Sequence, residues 1–290
     1  MAKFSIENFR HSDGYPASVR WWRSANPRGA VLYLHGIQSH GGWYETSGSL
    51  LAERGLTVLM PDRRGSGLNQ QERGHCASAE RSIADVRELL DALLQETGRD
   101  AAHVAGVSWG GKLAAAATPT MPQQVRSLSL IAPGIFPRVD LPTMEKFRVA
   151  FSLVNHRKRL FDIPLNDPRL FTGDPERIRY VEGDALKLTQ VSAVFLVASR
   201  QLDRKARQLA ESPWRGPVHL LLAGRDRIID NELTAAWLRA LPSPDRQITQ
   251  YPDAQHTLEF ETDPSRYFKD LCDWIVERCD ADTRTPATTS

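Results

Sequence analysis

The stretch Gly106-Val107-Ser108-Trp109-Gly110 sets a serine between two glycines where the chain changes texture. His103 to Val107 is strand-like, and Leu113 to Ala117 is rich in helix formers. A serine at a strand–turn–helix junction is held with its hydroxyl exposed at a helix N-terminus, which suits nucleophilic attack. The small neighbours let strand and helix approach closely. A plain glycine-rich turn would look the same. The catalytic reading therefore requires a general base and a partner for that base elsewhere in the chain.

Two later stretches offer them. The apolar run Val218 to Ala223 ends in Gly224-Arg225-Asp226, and an acid just past a strand is placed to orient an imidazole. Ile248 to Tyr251 runs into Pro252-Asp253-Ala254-Gln255-His256. His256 is the candidate base and Asp226 its candidate partner. His219 lies inside a strand and reads as a core residue. Asp230 rivals Asp226 but reads as the cap of a helix starting near Asn231. Asp253 is a weaker rival. Acyl transfer also needs donors for a developing oxyanion. Ala30 to Leu34 ends in His35-Gly36-Ile37, so the N–H of Ile37 and the N–H of Trp109 are the candidate donors. His35 reads as a support for that loop. This chemistry needs no metal and no organic cofactor.

The elements that must position these groups can be read from the apolar pattern. Phe4 to Phe9 and Ala17 to Trp22 read as an antiparallel pair of strands. Ala30–Leu34, Leu56–Met60, His103–Val107 and Val218–Ala223 read as buried strands, and Val125–Ala132 as a further strand. Helices are expected over Trp43 to Arg54, stopped by Gly55, and from Ser78 or Ser82 to Thr97. The expected fold is α/β: a mostly parallel sheet flanked by helices, with sites outside the carboxyl ends of the strands. Ser108, Asp226, His256 and the Ile37 loop all fall at such ends. Asp62, Arg63 and Arg64 read as a loop pinned by hydrogen bonds and ion pairs. Arg73, His75 and Cys76 lie in a polar connection with no assignable role.

The texture changes between Gly134 and Pro213, where prolines, basic residues and amphipathic helices replace apolar strands. This divides the chain into a first core part (1–133), an inserted helical cap (134–213), a second core part (214–280) and a disordered tail (281–290). Within the insertion, Phe147, Phe151 and Val154 share one helix face. That face is expected to pack mostly on the core, with lining of an acyl pocket or transient contact to a membrane surface as the alternatives. His156 to Arg159 reads as a solvated basic helix end. Two more helices are expected, at Pro175–Gly183 and Leu188–Glu211.

The 290 residues are 41% hydrophobic and 25% charged with a net charge of +2, which gives no basis for nucleic-acid binding. The three cysteines, Cys76, Cys272 and Cys279, lack metal-ligand spacing and suit a reducing compartment. The N-terminus has no signal-peptide pattern, and the expected location is cytoplasmic.

HG at 35–36, PDRRGSG at 61–67, GVSWGG at 106–111, AGRDRIID at 223–230 and YPDAQHTLEFE at 251–261 resemble the α/β-hydrolase superfamily. The resemblance is closer to its monoacylglycerol lipase and lysophospholipase-like branch. It implies the nucleophile at Ser108, the acid at Asp226, the base at His256 and oxyanion donors at Ile37 and Trp109. It further implies hydrolysis of an acylglycerol, a lysophospholipid or a small ester, without a cofactor. Val107 and Trp109 stand where that branch usually has His and Met, so the indole is expected to reshape the acyl pocket. An amide-cleaving, aminopeptidase-like relative, an acyltransferase and a non-catalytic binding protein are the other readings. The first would need a cap site for an amine, and the cap's acids form no evident cluster in sequence. The expected partner is a small-molecule or lipid ester; oligomeric state stays open.

Overall fold

Continuous apolar runs become strands buried along their whole length in the computed structural model, which describes residues 2–279. The strands are β1 (Ser5–Arg10), β2 (Pro16–Trp22), β3 (Gly29–Leu34), β4 (Leu56–Pro61), β5 (Ala102–Val107), β6 (Val125–Ile131), β7 (Leu160–Asp162), β8 (Gln190–Ser192), β9 (Val218–Ala223) and β10 (Arg246–Tyr251). The helices are α1 (Glu45–Glu53), α2 (Ala79–Thr97), α3 (Trp109–Ala117), α4 (Thr143–Asn155), α5 (Pro175–Gly183), α6 (Ala193–Arg207), α7 (Asn231–Ala240) and α8 (Ser265–Cys279). The tail expected at 281–290 lies outside the described residues.

Eight strands form one sheet in the order β1-β2-β4-β3-β5-β6-β9-β10. β1 and β2 are antiparallel, and β2 meets β4 antiparallel. From β4 through β3, β5, β6 and β9 to β10 every pairing is parallel. The parallel strands therefore all finish on one side, which brings together residues 35, 62, 108, 224–226 and 252–256. Helices cover both faces. Tyr33 on β3 places its hydroxyl 3.1 Å from that of Tyr267 on α8. On the opposite face, β5 leans on α3 where Gly106 faces Gly110. Ser78 caps α2 by accepting from the N–H of Arg81 at 3.0 Å, and Gly98, at φ 61°, closes it.

The residues between β6 and β9 add no strand to the large sheet. They are not purely helical, contrary to the sequence expectation. β7 and β8 pair antiparallel, Leu160 with Ser192, so the helix expected from Leu188 begins only at Ala193. A three-residue strand whose partner lies some thirty residues away leaves no periodic signal. The unassigned connection at 73–76 holds this small sheet and the segment that leads into β8. Arg73 donates to the carbonyls of Leu186 (2.9 Å) and Lys187 (3.1 Å), and His75 Nδ1 lies 2.8 Å from Ser192 Oγ. Gly74 sits at φ 73°, and a Cβ there would come within 2.4 Å of the Gln190 carbonyl.

The apolar face of α4 overturns a second expectation. Met144, Phe147, Phe151 and Val154 are 69%, 67%, 66% and 82% exposed, while Val149 and Ser152 turn inward. Val149 packs in a small cluster with Phe161 and Ala193. Helical spacing defines a stripe but does not say which side of the helix meets the protein.

Candidate active site

Ser108 is the residue between β5 and α3, and its backbone is in a strained conformation (φ 53°, ψ −115°) that a side chain rarely adopts. Its carbonyl accepts from the N–H groups of Gly111 (3.0 Å), Lys112 (3.2 Å) and Gly134 (2.8 Å), which hold the turn in place. The glycines around it are sterically required. A Cβ on Gly106 would meet the Gly110 carbonyl at 2.5 Å, and one on Gly110 would meet the Leu34 carbonyl at 2.3 Å. The loop after β3 closes over the turn, since a Cβ on Gly36 would lie 3.5 Å from Ser108 Cβ.

Asp226 and His256 are paired. Asp226 Oδ2 lies 2.7 Å from His256 Nδ1, and both side chains are buried. Asp226 Oδ1 accepts from the N–H groups of Ile228 (2.8 Å) and Ile229 (3.1 Å), so the carboxylate cannot rotate away. The two loops are laced by main-chain bonds, Gly224 to Tyr251 at 2.7 Å and Arg225 to Ala254 at 2.9 Å. His256 Nε2 is shielded from solvent and has no hydrogen-bond partner among the described residues. The rivals are elsewhere. Asp230 accepts from the N–H of Leu233 and caps α7; Asp253 is exposed and pairs with Arg225. His219 bonds Thr249 Oγ1 at 2.9 Å within the sheet, and burial pulls its pKa down to about 3.

The loop bearing Ile37 is fixed by buried polar groups. His35 Nδ1 donates to the Gly36 carbonyl at 2.8 Å, and Nε2 accepts from the N–H of Arg63 at 2.8 Å. Burial lowers the His35 pKa to about 3, so the ring stays neutral and structural. Asp62 Oδ1 accepts from Gly41 N–H (2.7 Å) and Arg20 (2.8 Å), and Oδ2 accepts from Leu68 N–H at 2.8 Å. Arg63 does something the sequence did not announce. Its Nη2 donates to the Ile37 carbonyl at 2.6 Å while its guanidinium lies 4.7 Å from the Trp109 ring centroid. It thus touches both candidate oxyanion residues. Trp109 also stacks on Phe195 at 5.4 Å, and its Nε1 donates to Ser199 Oγ at 3.0 Å.

Ser108, Ile37 and Trp109 line one cavity of about 410 Å³. Its walls are mostly apolar and include Leu141, Val149, Ile163, Leu196 and Ile229. The rest is a charged group that sequence reasoning missed. Lys112, one helical turn after Ser108, is buried and bonds Asp203 of α6 at 2.6 Å. A lysine inside an alanine-rich helix was the available signal, but its partner lies 91 residues away. Burial lowers the Lys112 pKa against the raising influence of Asp203. His11, Asp85 and Glu88 present donor atoms within 4.8 Å of one another, a spacing a metal could use. Arg64 and Arg81 already hold those carboxylates, at 2.8 Å and 2.6 Å, so a cation there would meet two guanidiniums.

A family model described as "Serine aminopeptidase, S33" matches residues 25–263. An uncharacterized abhydrolase domain-containing protein of Dictyostelium discoideum is 27% identical over 94% of this chain, which spans only 29% of that protein's length. A monoacylglycerol lipase of Mycolicibacterium smegmatis is 24% identical, with 88% of this chain and 91% of the relative covered. Among solved structures, a soluble variant of monoglyceride lipase from Saccharomyces cerevisiae superimposes with a TM-score of 0.82 at 19% identity, over 96% of both chains. The chain belongs to the serine aminopeptidase S33 family of α/β-hydrolases.

Proposed function

We propose that the protein is a serine hydrolase that cleaves carboxylic esters through an acyl-enzyme. Ser108 Oγ attacks the ester carbonyl carbon while its proton passes to His256 Nε2. The N–H groups of Ile37 and Trp109 hold the oxyanion. The tetrahedral intermediate expels the alcohol, which takes the proton from His256. Water then attacks the acyl group by the same route, releasing the acid and restoring Ser108. Asp226 keeps the proton of His256 on Nδ1 and stabilises the imidazolium. The observation that carries this reading is the buried Asp226–His256 pair with an unsatisfied Nε2. Leaving a buried ring nitrogen unpaired is costly. His219 Nδ1 is also unpaired, but it lies within the sheet, whereas His256 carries a carboxylate on its other nitrogen and follows a strand's carboxyl end, as Ser108 does.

Residues 134–213 act as the cap that shapes the acyl pocket. An ester fits the cavity better than an aminoacyl amide. The two acids lining it, Asp140 and Asp203, already carry cations: Lys146 and Arg200 on Asp140, Lys112 on Asp203. No uncompensated carboxylate is left there for a substrate amine. Acylglycerols, lysophospholipids and small esters are the substrate classes, and three buried free cysteines fit a cytoplasmic setting. The test is a chain-length series of p-nitrophenyl esters beside 1-monoacylglycerols and an aminoacyl anilide, with fluorophosphonate labelling. Ester turnover together with labelling that is lost in Ser108→Ala is expected. Turnover of the anilide alone would replace this reading with a peptidase.

The outward stripe of α4 gives the cap a lipid-facing side. Met144, Phe147, Phe151 and Val154 follow one face, and Arg157, Lys158 and Arg159 follow at its end. Such a pattern suits the surface of an anionic membrane. No helix among the described residues is long and apolar enough to cross one. Binding to vesicles of phosphatidylcholine with phosphatidylglycerol should fall at least about tenfold in the Phe147→Ser/Phe151→Ser variant, from the lost burial of two phenyl groups. Sedimentation of the two proteins with vesicles measures it. Equal partitioning would return α4 to a merely exposed helix.

A further inference from the structure

The charged part of the cavity has an imbalance of sign. Four cations line it, Lys112, Lys146, Arg200 and Arg204, against two acids, Asp140 and Asp203, a surplus of two positive charges. The ion pairs run as a chain. Lys146 Nζ meets Asp140 at 2.6 Å, Arg200 bridges Asp140 and Asp203 (3.6 Å to the latter), and Lys112 closes on Asp203 at 2.6 Å. Each acid is used twice. Arg204, which is exposed, has no ion pair among the described residues.

Arg200 and Arg204 are one turn apart on α6, and both face the cavity. Like charges at this spacing repel. Both arginines are exposed to solvent at the cavity mouth, and the C-terminal position of Arg204 on α6 suits the helix dipole. What the dipole does not account for is two guanidiniums on the wall of a cavity whose remaining surface is mostly apolar. Arg200 is already offset by Asp140 and Asp203, so Arg204 is the cavity cation left without an acid among the described residues, and an anion between the two would meet planar donors suited to carboxylate or phosphate oxygens.

We propose that the cavity selects esters carrying, away from the reacting bond, an anionic oxygen group, a carboxylate or a phosphate, held by Arg200 and Arg204. The apolar walls take the carbon chain between the two ends. This rests on the esterase reading above for the reaction but not for the binding. Binding is therefore measured on the Ser108→Ala protein, in which turnover cannot interfere. The probes are monomethyl suberate and octyl phosphate, with methyl octanoate as the neutral control, titrated calorimetrically.

Either anion should bind at least about tenfold more tightly than methyl octanoate, from charge-assisted hydrogen bonds to two guanidiniums beside an apolar wall. Which anion binds tells carboxylate from phosphate. The preference should collapse in Ser108→Ala/Arg204→Gln and weaken as salt is raised. In the otherwise wild-type enzyme, Arg204→Gln should lower the kcat/KM ratio of p-nitrophenyl hemisuberate over p-nitrophenyl octanoate by a similar factor. Equal binding of anion and neutral control, no binding of either anion, or a preference untouched by Arg204→Gln each overturns the proposal. Absence of ester turnover with anion binding intact would instead overturn the esterase reading and leave the anion site standing.

Discussion

Ser108→Ala should fold as the wild type does and lose roughly 10⁴-fold or more in kcat on its best ester. On the proposed mechanism the loss follows from removing the atom that forms the acyl bond. Stability should change by no more than about 0.5 kcal/mol, because the turn is held by the main-chain carbonyl of Ser108, which alanine keeps. The backbone strain at φ 53° is also the same for both side chains. Initial rates on p-nitrophenyl esters with a thermal melt in parallel separate the two effects. A variant that melts normally and retains full turnover would sink the mechanism.

Asp226→Asn should cost a comparable factor, about 10⁴ in kcat, through the tautomer of His256 rather than through contact with substrate. The geometry leaves the amide no good orientation. If its oxygen stays on the N–H groups of Ile228 and Ile229, its NH₂ faces His256 Nδ1. The ring must then carry its proton on Nε2, where it cannot accept one from Ser108. If the amide flips, its NH₂ is set against two main-chain donors. Asp230→Asn is the control. Asn caps a helix as well as Asp does, and Asp230 bonds the N–H of Leu233 instead of a histidine. Its kcat should stay within a factor of about two. The opposite ranking would move the acid to Asp230.

The strand pattern was legible because burial on both faces leaves unbroken apolar runs. Val218–Ala223 has the same limits in sequence and structure. Pro175–Gly183 matches equally well, bounded by Asp174 as cap and proline in its first turn. The candidate residues stood out because each lies within five residues of the end of an expected strand, in a stretch that also carries glycine or proline. Less was visible where partners are distant. Arg73 and His75 have no role legible in sequence because their partners, the Leu186 and Lys187 carbonyls and Ser192, lie more than a hundred residues away. Arg63 read as one of several loop-pinning charges, whereas it joins the Ile37 carbonyl to the Trp109 ring.

By itself the sequence determined a mostly parallel α/β sheet, the order Ser108, Asp226, His256, and which aspartate follows a strand directly. These depend on local periodicity, turn residues and chain order. Only the tertiary structure decided that α4 turns its aromatic side outward, that Lys112 meets Asp203, and that Arg200 and Arg204 share a cavity wall with Ser108. Those outcomes depend on which surfaces meet across long separations in the chain. A side-chain period marks a face, but only the packing partner decides whether that face is core, cavity or surface.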